Sequence, residues 1–122
     1  MADSIIMPQG SIHYYTNVAN TMGGFSSVQQ FYRFFEIPAM GHCGGIGSVN
    51  GTAGISPVAN PPLPAPNQLY NALVSWVEGG VAPDQIPLQN QGATMTRPIC
   101  MYPSKLTYKG GNTNAASSYT CS

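Results

Sequence analysis

Between Gly44 and Pro66 the chain places five glycines and five prolines in 23 residues, with no repeating period. Proline fixes φ and removes a backbone donor, and glycine loses the most conformational freedom when held in a helix or strand. The stretch therefore reads as irregular loop. Regular structure is confined to what lies on either side of it. A loop of this length is uncommon inside a compact domain and points to a functional surface loop or to one covered by other sequence.

The 122 residues suffice for a single segment or domain. With four basic and four acidic side chains, 7% of residues charged, there is no basic patch of the kind that nucleic acid or an anionic membrane requires. No run of about 18 apolar residues exists to span a bilayer, and the N-terminus lacks the basic and apolar regions of a signal peptide. Low charge, three cysteines and the sequon Asn50-Gly51-Thr52, which makes Asn50 a glycosylation candidate, predict a secreted protein in an oxidising setting. Three is an odd count, so one thiol is free or paired outside the chain.

Ahead of the loop, Ala2-Asp3-Ser4 and Ile5-Ile6-Met7-Pro8 read as the end of a strand and a loop, with the strand itself expected before Asp3. From Ser11 to Met22 the apolar Ile12, Tyr15, Val18, Ala19 and Met22 recur every three or four residues, which predicts an amphipathic helix stopped by Gly23-Gly24. His13 falls off that stripe and reads as a surface or boundary residue. The aromatic run Phe31 to Ile37 predicts a strand buried on both faces. A helix followed by such a strand is half of a βαβ unit, so the expected fold class is α/β with a parallel sheet. Ligands bind at the carboxyl ends of strands in open α/β sheets, and both Asp3 and His42 would emerge there.

Beyond the loop, Asn67 is placed to cap a helix with a broad apolar face of Leu69, Tyr70, Leu73, Val74, Trp76 and Val77, ending at Gly79-Gly80, with Trp76 read as core. The remainder is turns and short extended pieces, of which Arg97 to Cys100 and Leu106 to Tyr108 are the strand candidates. A disulfide between Cys100 and Cys121 would staple this tail and contribute about 3 kcal/mol in the chain-entropy model.

Three arrangements around His42-Cys43 offer chemistry. A zinc site needs three or four ligands at paired spacings, and two histidines with three scattered cysteines provide none, so no metal is expected. A Cys43 nucleophile with His42 as base is badly placed, because adjacent residues on an extended chain point to opposite faces. The third is an acid–base pair of Asp3 and His42, in the order and spacing of the last two members of a Ser, Asp, His triad. No G-x-S-x-G elbow accompanies them; Ser26 and Ser27 come nearest, but they follow a helix instead of opening one.

These residues carry a resemblance. Ala2-Asp3, Tyr14-Tyr15, Phe31-Tyr32-Arg33-Phe34-Phe35, Pro38-Ala39-Met40-Gly41-His42-Cys43-Gly44-Gly45, Leu73-Val74-Ser75-Trp76-Val77-Glu78-Gly79-Gly80 with Ala82-Pro83, and Arg97-Pro98-Ile99-Cys100 with Tyr102-Pro103 resemble the C-terminal part of the tannase and feruloyl esterase family. The resemblance implies a partial α/β-hydrolase core, its helix-strand-helix portion, with the Gly/Pro-rich loop and disulfide-stapled tail. It implies secreted serine esterases acting on aromatic acid esters without a cofactor, with Asp3 as triad acid and His42 as general base. Cys43 would bridge to a cysteine beside the nucleophilic serine, and Cys100 to Cys121. Members usually carry glycine where this chain has Ala39. The nucleophile elbow, oxyanion hole and lid are absent from residues 1–122, so the isolated chain is expected to be inactive or weak. The alternative is a non-catalytic, disulfide-stabilised binding or assembly module; in either case the Phe31 to Ile37 strand would leave an exposed sheet edge open to association.

Overall fold

The computed structural model describes residues 6–41 and 60–122. They belong to two compact units, Met1–Ala59 and Asn60–Ser122. The described regular structure is a mixture of helix and strand.

In the first unit, α1 spans Pro8–Thr21 and a single turn, α2, spans Phe25–Val28. The helix starts three residues before the predicted Ser11, because Pro8 occupies the first turn, where its fixed φ suits a helix and its missing N–H has no intrahelical partner to lose. Its end falls where predicted. Gly23 adopts φ 88°, and the Gly24 N–H then reaches back to the Ala19 carbonyl at 2.7 Å. That geometry satisfies a terminal carbonyl and is open to glycine at little cost. Tyr15 and Ala19, one turn apart, are fully buried, and Val28 joins them from α2. Around Tyr15 gather the rings of Tyr32 at 4.9 Å and nearly perpendicular, Phe34 at 5.5 Å and Phe25 at 5.8 Å. The Tyr15 hydroxyl donates to the Tyr32 carbonyl at 3.1 Å. Burial pushes this phenol above its ordinary range, opposed by a side-chain hydrogen bond with Gln29. His13 is exposed, as its place off the stripe predicts.

The Phe31 to Ile37 run departs from expectation. It forms no continuous strand among the described residues; within it only Phe35 makes a bridge. The N–H groups of Phe31 and Tyr32 are both committed to the Val28 carbonyl, at 3.1 and 2.8 Å, so the run begins as the turn that closes α2. Phe31 is 60% exposed, and Tyr32 to Phe35 are half-buried, not buried on two faces. Two of its rings, Tyr32 and Phe34, are used against Tyr15. No parallel strand pair occurs among the described residues; both sheets are antiparallel.

The second unit begins with α3, Gln68–Gly79, and continues through β1 (Gln85–Gln89), β2 (Thr96–Cys100), β3 (Leu106–Tyr108) and β4 (Tyr119–Cys121). Asn67 precedes α3 in a left-handed conformation, φ 61°, without the side-chain cap that the sequence predicts. At the other end Gly80, left-handed at φ 69°, donates to the Trp76 carbonyl at 3.0 Å, and the Val81 N–H donates to the Ser75 carbonyl at 3.1 Å. Trp76 is half-buried, and no residue of α3 is fully buried.

β1 pairs antiparallel with β2, setting Ile86 opposite Ile99 and Pro87 opposite Pro98. The carbonyls of Pro87 and Gln89 point away from β2, accepting from the Gln68 side chain and the Leu63 N–H. Both prolines thus sit where no ladder N–H is needed, and a one-residue slip would demand donors they lack. Ile86, Leu88, Ile99 and Cys100 make the core of this unit. Asn90 closes the hairpin: its amide donates to Thr94 Oγ1 at 2.9 Å while its Oδ1 accepts the Met95 N–H at 2.8 Å. The tail wraps back onto β2. Thr96 N–H donates to the Asn114 carbonyl, its hydroxyl accepts from Ala116 N–H, and the Arg97 guanidinium lies 4.2 Å over the Tyr119 ring while donating to the Thr113 carbonyl.

Candidate active site

Asp3, His42, Cys43 and Asn50 lie outside the described residues, and so does most of the Gly/Pro-rich loop. What the structure describes is the backbone that leads to them. Ile37-Pro38-Ala39-Met40 makes a tight turn centred on Pro38 and Ala39, with Ala39 at φ 64°. Proline followed by a residue of positive φ is the pattern of a type II turn, whose third position favours glycine because an L-residue there brings its Cβ against the backbone. The glycine expected from the resemblance has a physical reason here: Ala39 occupies a left-handed position.

The segment from Phe34 to Gly41 forms one wall of a cavity of about 470 Å³, and Ile6, Pro8 and Ser11 form another. Segments adjoining both predicted catalytic residues therefore line one space: Ile6 follows Asp3 by three positions, and Gly41 immediately precedes His42. The described walls are largely aromatic and aliphatic, with Glu36 the single charged residue and Ser11 the single hydroxyl among the described residues lining it. The mostly apolar described lining suits an apolar group. The sequence read Ile6 as loop and Ser11 as the helix start and gave neither a part in the site; only their proximity to Asp3 and to the helix start signals their place.

Ser26 is exposed and Ser27 half-buried, both within the short α2, so neither occupies the strand-to-helix elbow a nucleophilic serine needs. Among the described residues no group of three His, Cys, Asp or Glu side chains is assembled for a metal ion. Cys100 and Cys121 are joined in a disulfide, with Cα atoms 5.5 Å apart. The bridge fastens the end of β2 to the end of β4, across a sequence separation of 21. Since it uses two of three cysteines, Cys43 has no cysteine left in this chain to pair with while the bridge stands.

Comparison with known proteins extends these observations. The family model described as tannase and feruloyl esterase matches residues 1–122. This chain belongs to the tannase and feruloyl esterase family. A "probable feruloyl esterase" of Arthroderma benhamiae is 40% identical over 126 residues, covering 99% of this chain and 21% of that protein. A "probable feruloyl esterase B-2" of Aspergillus terreus is 36% identical, covering 99% of this chain and 24% of its own length. Among solved structures, feruloyl esterase B from Aspergillus oryzae superimposes with a TM-score of 0.75 at 31% identity, over 98% of this chain and 25% of that one. The chain thus spans about a quarter of the length of these tannase-family relatives.

Proposed function

We propose that this chain carries the acid and base of a serine carboxylic ester hydrolase of the feruloyl esterase type, built on part of an α/β-hydrolase core. The observation that carries the reading is the family match across all 122 residues. The cavity shared by the segments next to Asp3 and His42 supports it. In this reading Asp3 accepts a hydrogen bond from one ring nitrogen of His42, fixing its tautomer and stabilising the imidazolium. The other nitrogen takes the proton of a serine hydroxyl as it attacks the ester carbonyl, then delivers it to the leaving alkoxide. Water, deprotonated by His42 in turn, releases the acid. The substrate is an ester of an aromatic hydroxy acid, and no cofactor is required. Serine and oxyanion donors come from polypeptide outside these residues, with Cys43 bridging to the neighbourhood of that serine. A secreted setting, with Asn50 glycosylated, is consistent with the disulfide and the sparse charge. Nucleic acid and membrane are not partners in this reading.

The test is a chimera in which this chain replaces the matching quarter of the Aspergillus oryzae enzyme, assayed with methyl ferulate. Turnover is expected, and Asp3→Asn or His42→Ala should each lower kcat by about 10⁴-fold or more. If the His42→Ala chimera kept its turnover within tenfold, the assignment of the base would fail.

A further inference from the structure

α3 presents three sectors around its axis. Gln68, Ala72 and Trp76, spaced four apart, are half-buried, and the Gln68 side chain donates to the Pro87 carbonyl on β1; Val74, half-buried as well, separates the two remaining sectors. Asn71, Ser75 and Glu78 form a polar, exposed sector. The third sector, Leu69, Tyr70, Leu73 and Val77, is apolar and yet 39%, 65%, 52% and 75% exposed. A helix destined to meet water on two sides would carry polar residues on both; here only one of the exposed sectors does. Four contiguous large apolar side chains on one stripe mark a contact surface, not scattered exposure. The Gln68 side chain ties the start of the helix to β1, and the Gly80 and Val81 N–H groups close its last turn on the Trp76 and Ser75 carbonyls.

We propose that the Leu69, Tyr70, Leu73 and Val77 sector docks on the rest of an esterase polypeptide of this family, the three-quarters of the relatives' length that this chain does not span, whether joined to it or supplied separately. Two observations select that occupant. This chain corresponds to about a quarter of each relative and superimposes on the Aspergillus oryzae structure at a TM-score of 0.75, so there its equivalent adjoins a larger body of polypeptide. The sector also offers no charge to steer an ionic partner, which leaves apolar complementarity as the means of recognition. The proposal rests on family membership and not on the roles of Asp3 and His42.

The experiment supplies this chain in trans to the upstream three-quarters of the Aspergillus oryzae enzyme, by co-expression, and measures co-purification through a tag on that upstream part. The enzyme's own C-terminal quarter, supplied in the same way, establishes that the upstream part is competent. A stoichiometric complex with this chain is expected. Leu73→Glu with Val77→Glu should lower the yield at least tenfold, while Asn71→Glu with Ser75→Glu leaves it within twofold. Circular dichroism of each variant alone checks that α3 is intact. Equal capture of the two double variants, or no capture of this chain where the enzyme's own quarter is captured, would overturn the proposal. So would a monomer-dimer shift of the isolated chain that Leu73→Glu with Val77→Glu abolishes, since the sector would then serve a second copy. Capture without methyl ferulate hydrolysis would leave the docking intact and count against the triad assignment alone.

Discussion

Ala39 is where sequence, backbone and chemistry meet most closely. Its φ of 64° places an L-residue where the left-handed region costs roughly 1 to 2 kcal/mol, and Pro38 before it holds the turn in that form. Glycine would remove the steric term but add unfolded-state entropy of about 0.4 to 1 kcal/mol. Ala39→Gly is therefore expected to stabilise the chain by about 0.5 to 1 kcal/mol, read as a higher urea midpoint at unchanged slope. Ala39→Val, with a β-branched side chain at positive φ, should move the midpoint the other way. A glycine variant that unfolds earlier than the parent would show that the turn is not strained. Tyr15 is the counterpart inside the unit: one side chain fills the space between α1, α2 and the Phe34 segment, with its hydroxyl satisfied by the Tyr32 carbonyl.

At the scale of elements, what could be read from the sequence was what depends on local periodicity and local stops. The Tyr15 to Ala19 stripe and the Gly23 stop located α1, and the Gly79-Gly80 stop located the end of α3. The Arg97 to Cys100 and Leu106 to Tyr108 strands were legible for the same reason. Their partners β1 and β4 were not. Gln85 to Gln89 alternates exposed and buried as an edge strand should, but Pro87 at its centre counts against a strand until Pro98 is known to lie opposite it. The Phe31 to Ile37 run failed differently: a strand is made by a ladder partner, and aromatic content alone does not supply one. Of the proposed site, Asp3, His42 and Cys43 are read from sequence pattern and resemblance and lie outside the described residues, whereas the Ile6 and Ser11 wall depends on tertiary contact. The disulfide was legible as a spacing and gains meaning from β2 and β4. It fastens the β3–β4 pair, which has no buried apolar residue, to the core-forming strand β2, so Cys100→Ser with Cys121→Ser should cost about 3 kcal/mol. Faster amide exchange at Tyr119 to Cys121 and a lower urea midpoint in air-oxidised samples are the expected readouts; an unchanged midpoint would mean that the pairing of β3 with β4 holds without the bridge.

At the scale of the whole molecule, the family and the proposed chemistry make different demands on these 122 residues. Family membership needs only the matched sequence, but turnover needs an acid, a base, a nucleophile and an oxyanion site brought together. In the proposed reading Asp3 and His42 supply the first two. The sequence contains no G-x-S-x-G elbow, and Ser26 and Ser27 lie on the short helix α2, which follows α1 and no strand among the described residues. Loss of a triad serine costs about 10⁶ in turnover, and loss of an oxyanion donor a further 10² to 10³ where the two act separately. The purified chain, supplied with methyl ferulate alone, is accordingly expected to hydrolyse it no faster than buffer containing an equal concentration of free imidazole, and to resist labelling by a fluorophosphonate. Rapid hydrolysis blocked by that reagent, with the label mapped to a serine of this chain, would require a nucleophile built from these residues and would remove the need for any upstream polypeptide in the chemistry.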